Sequence, residues 1–239
     1  MKKLFEKSEI TFAIIWIIIY VVGIGNLRSL GDDSPVLMIG LIVLSVLLFL
    51  CLHITGTMEY YGMTGWAKNS RAMLWFIPLW MLSTINIWSG FAPDYKMPGL
   101  IYAAVMMAFV GFVEELIFRG FLFRAMLKDS NAKTAVIVSS ITFGAGHIVN
   151  LLSGHEITET LIQMAFAIVM GFVFTMVYYK GGSLLPGILA HSIIDVTSVF
   201  ASGDHPLLNT IIHIAVFVIS ATYCVYLAKR VETPGCFKK

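Results

Sequence analysis

The chain has 239 residues, of which 58% are hydrophobic and only 13% charged, and its mean hydropathy is +0.86. A soluble domain carries about 25% charged residues, so this composition excludes a water-soluble globular protein, and no nucleic-acid partner is expected. The formal net charge of +2 matters less than where the charges fall.

The chain opens with Met1-Lys2-Lys3 and an apolar run from Phe12 to Gly25. The run is long and no small-x-small cleavage site follows, so it reads as a retained first helix rather than a signal peptide. A membrane crossing needs about 20 mostly apolar residues. Eight stretches qualify: 9–27, 35–56, 72–90, 99–118, 134–153, 158–179, 183–201 and 207–228. Short polar or Gly/Pro segments separate them, among them Lys68-Asn69-Ser70-Arg71, Pro93-Asp94, Gly154-His155-Glu156 and Gly203-Asp204-His205-Pro206. The expected fold is therefore all-α: a single integral membrane domain over residues 1–239, a polytopic helix bundle of about eight transmembrane helices. No internal repeat of the inverted-transporter kind is visible. With the N-terminus inside, every Lys and Arg except Arg28 and Lys96 falls on the cytoplasmic side, Arg119 being counted there. Both termini are expected to be cytoplasmic, which requires an even number of crossings.

Three of the charges do not belong to loops. Glu114-Glu115-Leu116-Ile117-Phe118-Arg119 lies inside an apolar run from Ile101 to Leu127, and a charge in mid-membrane costs roughly 2.5–3.5 kcal/mol on insertion scales. Adjacent helical residues point about 100° apart, whereas residues four apart share a face. Glu114 and Glu115 are thus expected to aim at different places. Arg119 follows Glu115 by four, in the favourable order for an ion pair. That assignment leaves Glu114 needing a proton or a partner from another helix.

Partners are available further along. The fifth stretch carries Phe143-Gly144-Ala145-Gly146-His147, whose glycines permit close helix approach. The seventh carries His191-Ser192-Ile193-Ile194-Asp195, with His191 and Asp195 on one face. Lone histidines such as His53 and His213 fit hydrogen-bonded core positions instead, and His155 and His205 fit solvated outer loops. The aromatic residues from Trp75 to Trp88 read as interfacial anchors and packing. Cys51, Cys224 and Cys236 show no paired spacing, so neither a disulfide framework nor a thiol metal site is expected.

Two chemistries suit this cluster. Glu114 and His147 can polarise a water that attacks an amide carbonyl while His191 and Asp195 serve the oxyanion. Alternatively, His147, His191 and a carboxylate, Glu114 or Asp195, can hold Zn²⁺ in an open hydrolytic site. The local zinc signature His-Glu-x-x-His is absent, as are a Gly-x-Ser-x-Gly elbow and a reactive-cysteine context.

The order Glu-Glu-x-x-x-Arg, then Phe-x-x-x-His, then His-x-x-x-Asn/Asp resembles that of the CAAX-protease and bacteriocin-processing family, also called the Abi family of intramembrane proteases. Here it is met by Glu114, Glu115 and Arg119, by Phe143 and His147, and by His191 and Asp195. The approach Gly182-Ser183-Leu184-Leu185-Pro186-Gly187 to the third motif is also similar. The likeness covers residues 110–200, within a catalytic core of about 100–201. It implies a membrane endopeptidase with Glu114, His147, His191 and residue 195 at the reaction centre, supported by Glu115, Arg119 and Phe143. Eukaryotic members carry asparagine where this chain has Asp195, and an ionised aspartate cannot donate to an oxyanion. No cofactor is favoured, with zinc as the alternative. The small size and bare loops look prokaryotic and point to the plasma membrane. The expected substrates are a membrane peptide, a pheromone or bacteriocin precursor, or a lipid-anchored protein tail. The competing expectations are a non-catalytic immunity or scaffold protein of the same fold, and a proton-coupled transporter using the cluster as a relay.

Overall fold

In the computed structural model the described residues are 2–93, 95–201 and 205–238. The expected turn residues Asp94, Gly203 and Asp204, and the terminal Met1 and Lys239, lie outside them. Helix α1 (Lys2–Lys7) leads into α2 (Glu9–Arg28), whose first turn is capped by the Ser8 hydroxyl accepting from Thr11 N–H. Helix α3 (Pro35–Thr55) begins with Ser34 as cap and proline at its first position, and stops at Gly56 with φ +70°. Helix α4 (Ile77–Ser83) is flanked by single 3₁₀ turns. Helix α5 (Gly99–Glu114) runs without a break through a π-helix, Glu115–Phe123, into α6 (Arg124–Asp129). Then come α7 (Ala132–Gly146), a 3₁₀ segment His147–Ser153, α8 (Ile157–Gly181), α9 (Leu185–Ser198) and α10 (Pro206–Arg230).

Six runs among the described residues are long and apolar enough to cross a bilayer: Glu9–Arg28, Pro35–Thr55, Gly99–Asp129, Ala132–Leu151, Ile157–Gly181 and Leu207–Arg230. The chain is an all-helical integral membrane protein, and side chains such as Ile18, Phe49, Ile214 and Phe217 face outward as a lipid-exposed surface requires. The stretches expected as the third and seventh spans are shorter than expected. Residues 72–90 are interrupted because Leu74, Trp75 and Phe76 take left-handed φ of 56°, 47° and 61°, a conformation costing roughly 1–2 kcal/mol per non-glycine residue. Bonds from Trp80 Nε1 to the Trp75 carbonyl (3.0 Å) and from the Tyr223 hydroxyl to the Met73 carbonyl (2.9 Å) hold that turn. Helix α9 has 14 residues, about 21 Å at 1.5 Å per residue. Its start packs on protein, where Leu184 N–H bonds the Gly62 carbonyl at 3.1 Å, so neighbours rather than lipid surround that end.

Contacts between loops sort the chain into two ends. Lys128 reaches Glu9 (2.7 Å), Arg124 reaches the Cys236 carbonyl (3.3 Å), and Asn69 bonds the Lys180 and Glu232 carbonyls. The start of the chain, its end and most of its basic residues therefore gather at one end of the bundle. At the other end, Ala92 N–H bonds the Phe200 carbonyl (3.0 Å) and Arg28 pairs with Asp32 (3.8 Å). Arg119 belongs to neither end, because its side chain is wholly buried. It must be removed from the flanking charges, but the asymmetry survives without it. His53 and His213, expected in the core, point outward instead.

Small residues bring the central helices together. A Cβ on Gly111 of α5 would lie 2.5 Å from the Ser192 backbone nitrogen of α9, and one on Gly144 of α7 would lie 2.9 Å from that of Ile168 in α8. The Ser192 hydroxyl reinforces the first contact by donating to the Ala108 carbonyl at 2.8 Å. Helix α5 is thus clamped against α9 beside its own two glutamates.

Candidate active site

The site forms where α5 changes geometry. Glu114 is the last residue of the α-helical part and Glu115 the first of the π-helix, a wider turn that recurs at functional sites. The Ser139 hydroxyl of α7 donates to the Phe118 carbonyl within that turn (2.9 Å) and anchors it. Because the run extends from Gly99 to Asp129, Glu114 stands at its middle, and His191 stands at the middle of α9.

Glu115 Oε1 lies 2.9 Å from Arg119 Nη1 and 2.9 Å from His191 Nδ1, and Glu115 and Arg119 are both 0% exposed. The arginine contact is an ion pair without the alignment of a hydrogen bond. Arg119 is also sandwiched by aromatic faces, its guanidinium carbon 4.0 Å from the Phe143 ring centre and 5.3 Å from that of Phe174. The same two rings enclose His191. Phe174 stacks on it at 4.8 Å and Phe143 meets it edge-on at 5.6 Å. Gly187 of α9 leaves room for the carboxylate, since a Cβ there would come within 3.1 Å of Glu115 Oε2.

His191 Nε2 lies 3.5 Å from Glu114 Oε2 and 3.6 Å from Asp195 Oδ2. The two adjacent glutamates therefore meet at opposite nitrogens of one imidazole. They aim at different places, as helical phase requires, Glu115 at Arg119 and Nδ1 and Glu114 at Nε2, while the bridging ring lets the two diverging carboxylates share a partner. The other Glu114 oxygen accepts a hydrogen bond from the Tyr20 hydroxyl of α2 at 2.5 Å.

His147 opens the 3₁₀ segment after α7. Its ring packs edge-on against Phe143 at 5.6 Å and, among the described residues, forms neither a hydrogen bond nor an ion pair. It faces Glu114 across a recess of about 40 Å³ that Tyr20 and Asn150 also line. A single water needs roughly 10–15 Å³ of such space together with two to four polar partners; both requirements are met. The recess adjoins a cavity of about 290 Å³ bordered by Glu114, His147, His191 and Asp195, with Arg28, Asp32 and His155 around it. His155 is exposed, as expected of a loop, yet it stands at this cavity. All seven residues singled out from the sequence thus belong to one cluster. Among the described residues, no three His, Cys, Asp or Glu side chains are arranged to hold a metal ion.

Tyr20, Phe174, Arg28 and the Asn150–Gln163 pair (2.7 Å) are additions that motif reading missed. Tyr20 and Phe174 sit in apolar helices, where an aromatic residue reads as packing.

Fold and site together define a membrane helix bundle with a carboxylate–histidine centre enclosed among its helices. Residues 96–197 match the family model described as type II CAAX prenyl endopeptidase, Rce1-like, a span that takes in every motif residue from Glu114 to Asp195. Over those residues the chain is similar to this CAAX-protease family. Comparisons with curated proteins and with solved structures found no match.

Proposed function

We propose that this protein is an intramembrane endopeptidase that hydrolyses a peptide bond near the end of a membrane-associated peptide or lipid-anchored protein. The observation that supports the reading is the water-sized recess between Glu114 and His147, adjoining the larger cavity. A water held there gives a proton to the Glu114–His147 pair as its oxygen attacks the carbonyl carbon. The same proton passes to the amide nitrogen when the C–N bond breaks, leaving a carboxylic acid and an amine. His191 presents Nε2 to the cavity while Glu115 fixes Nδ1. In the protonated ring, Nε2–H is the donor for the oxyanion that develops during attack. Asp195, as a carboxylate 3.6 Å from that nitrogen, is assigned to balancing the positive charge of the ring rather than to the oxyanion itself. Arg119, Phe143 and Phe174 keep Glu115 and His191 in register. The proposed setting is a prokaryotic plasma membrane, with peptide precursors or membrane-protein tails as substrates.

The test is turnover by purified protein in lipid nanodiscs, using a library of internally quenched peptides with apolar or prenylated C-terminal tails. Wild-type protein is expected to cut a subset and Glu114→Gln to cut none. Cleavage by Glu114→Gln at the wild-type rate, or by neither protein, would contradict the proposal.

A further inference from the structure

Helix α2 carries a buried stripe, Phe12, Trp16, Tyr20 and Ile24, at intervals of four. Phe12 and Trp16 use it for packing, against Phe121 at 4.9 and 6.4 Å. Tyr20 is the one member whose side chain carries a hydroxyl, and the group that hydroxyl meets is Glu114 Oε1, at 2.5 Å. Phenylalanine would fill the same space, so packing does not account for the oxygen. The ring also walls the recess between Glu114 and His147. With Oε1 held by Tyr20 and Oε2 lying 3.5 Å from His191 Nε2, the carboxylate plane is defined from two helices. A base whose orientation is set before the substrate arrives loses less rate to misplacement, and an error of about 1 Å can cost 10²-fold.

We propose that Tyr20 is a positioning residue for catalysis: its hydroxyl orients the Glu114 carboxylate toward the water recess. The first long helix, which lies outside the matched residues 96–197, thereby completes the reaction centre. This rests on the reading of Glu114 as the base.

The experiment compares four full-length proteins in nanodiscs, wild type, Tyr20→Phe, Trp16→Phe and Glu114→Gln, on the quenched peptide that wild type cuts fastest. Thermal midpoints are recorded beside the kinetics. Tyr20→Phe is expected to lower kcat about 10- to 100-fold with KM and thermal midpoint unchanged. Trp16→Phe, one turn earlier on the same face and without contact to Glu114, is expected to keep its kcat. An unchanged kcat in Tyr20→Phe with an inactive Glu114→Gln would overturn the positioning role alone. A joint fall of kcat and thermal midpoint, matched in Trp16→Phe, would make Tyr20 structural and overturn it as well. Full activity in Glu114→Gln, or no cleavage by wild type, would remove the reading on which the role depends.

Discussion

Breaking the Glu115–Arg119 pair should destabilise the bundle strongly and in a coupled way. Both side chains are 0% exposed and 2.9 Å apart, and Arg119 sits between Phe143 and Phe174. Truncating one partner of a buried pair leaves the other charge uncompensated, which costs about 3–5 kcal/mol. Arg119→Ala also forfeits the ring contacts, about 0.5–2 kcal/mol more. For a domain of this size 1 kcal/mol corresponds to roughly 2–4 °C, so each single variant should melt on the order of 10 °C lower. The double variant removes both charges and should melt well above the sum of the two losses. The coupling should lie near the upper end of the roughly 0.5–3 kcal/mol seen for contacting residues. The assay is thermal unfolding in detergent at one fixed scan rate, because unfolding of such proteins is rate-dependent. Activity separates the partners further. Glu115 also holds His191 Nδ1 at 2.9 Å, so Glu115→Ala should lose more turnover per folded molecule than Arg119→Ala. Purely additive melting losses, or equal turnover in the two single variants, would refute the reasoning.

Other outcomes follow from the same geometry. Gly111→Ala places a Cβ 2.5 Å from the Ser192 backbone nitrogen, so α5 and α9 must part. The expected cost is about 1–3 kcal/mol with a fall in kcat, read by melting and turnover; a neutral variant would show that the helices are not in that contact. Chelators are expected to leave turnover unchanged and the purified protein to contain no stoichiometric zinc, as elemental analysis checks. One zinc per active chain, lost together with activity, would reverse that. Asp195→Asn, the other form found in the family, is expected to keep substantial turnover at unchanged zinc content. Joint loss of metal and rate would instead support the zinc-bound alternative.

Much of the site was legible because charge in an apolar run is conspicuous. Glu114, Glu115 and Arg119 could be seen as a group in one run, and the i+4 rule paired Glu115 with Arg119 correctly. His147, His191 and Asp195 could be gathered because each stood alone among hydrophobic neighbours. What hydropathy could not convey was backbone detail. The left-handed turn at Leu74–Phe76 and the π-helix after Glu114 leave no mark on apolar periodicity, so the third stretch looked like a uniform span and the shared imidazole between the two glutamates could not be seen. Arg119 was grouped with the cytoplasmic charges because its depth follows from the continuation of α5 into α6, which a 20-residue window hides. Tyr20 and Phe174 were invisible for the opposite reason: an aromatic residue in a membrane helix is ordinary, and its role depends on a partner more than 15 residues away in sequence.

The central claim is that Glu114 activates water for peptide-bond hydrolysis in the membrane. The most direct measurement compares the peptides found in membranes of cells producing wild-type protein with those of cells producing Glu114→Gln at equal level. Defined cleavage products present with wild type and missing with Glu114→Gln, their uncut precursors accumulating in turn, are the expected result. Identical peptide profiles from the two cell populations would contradict it.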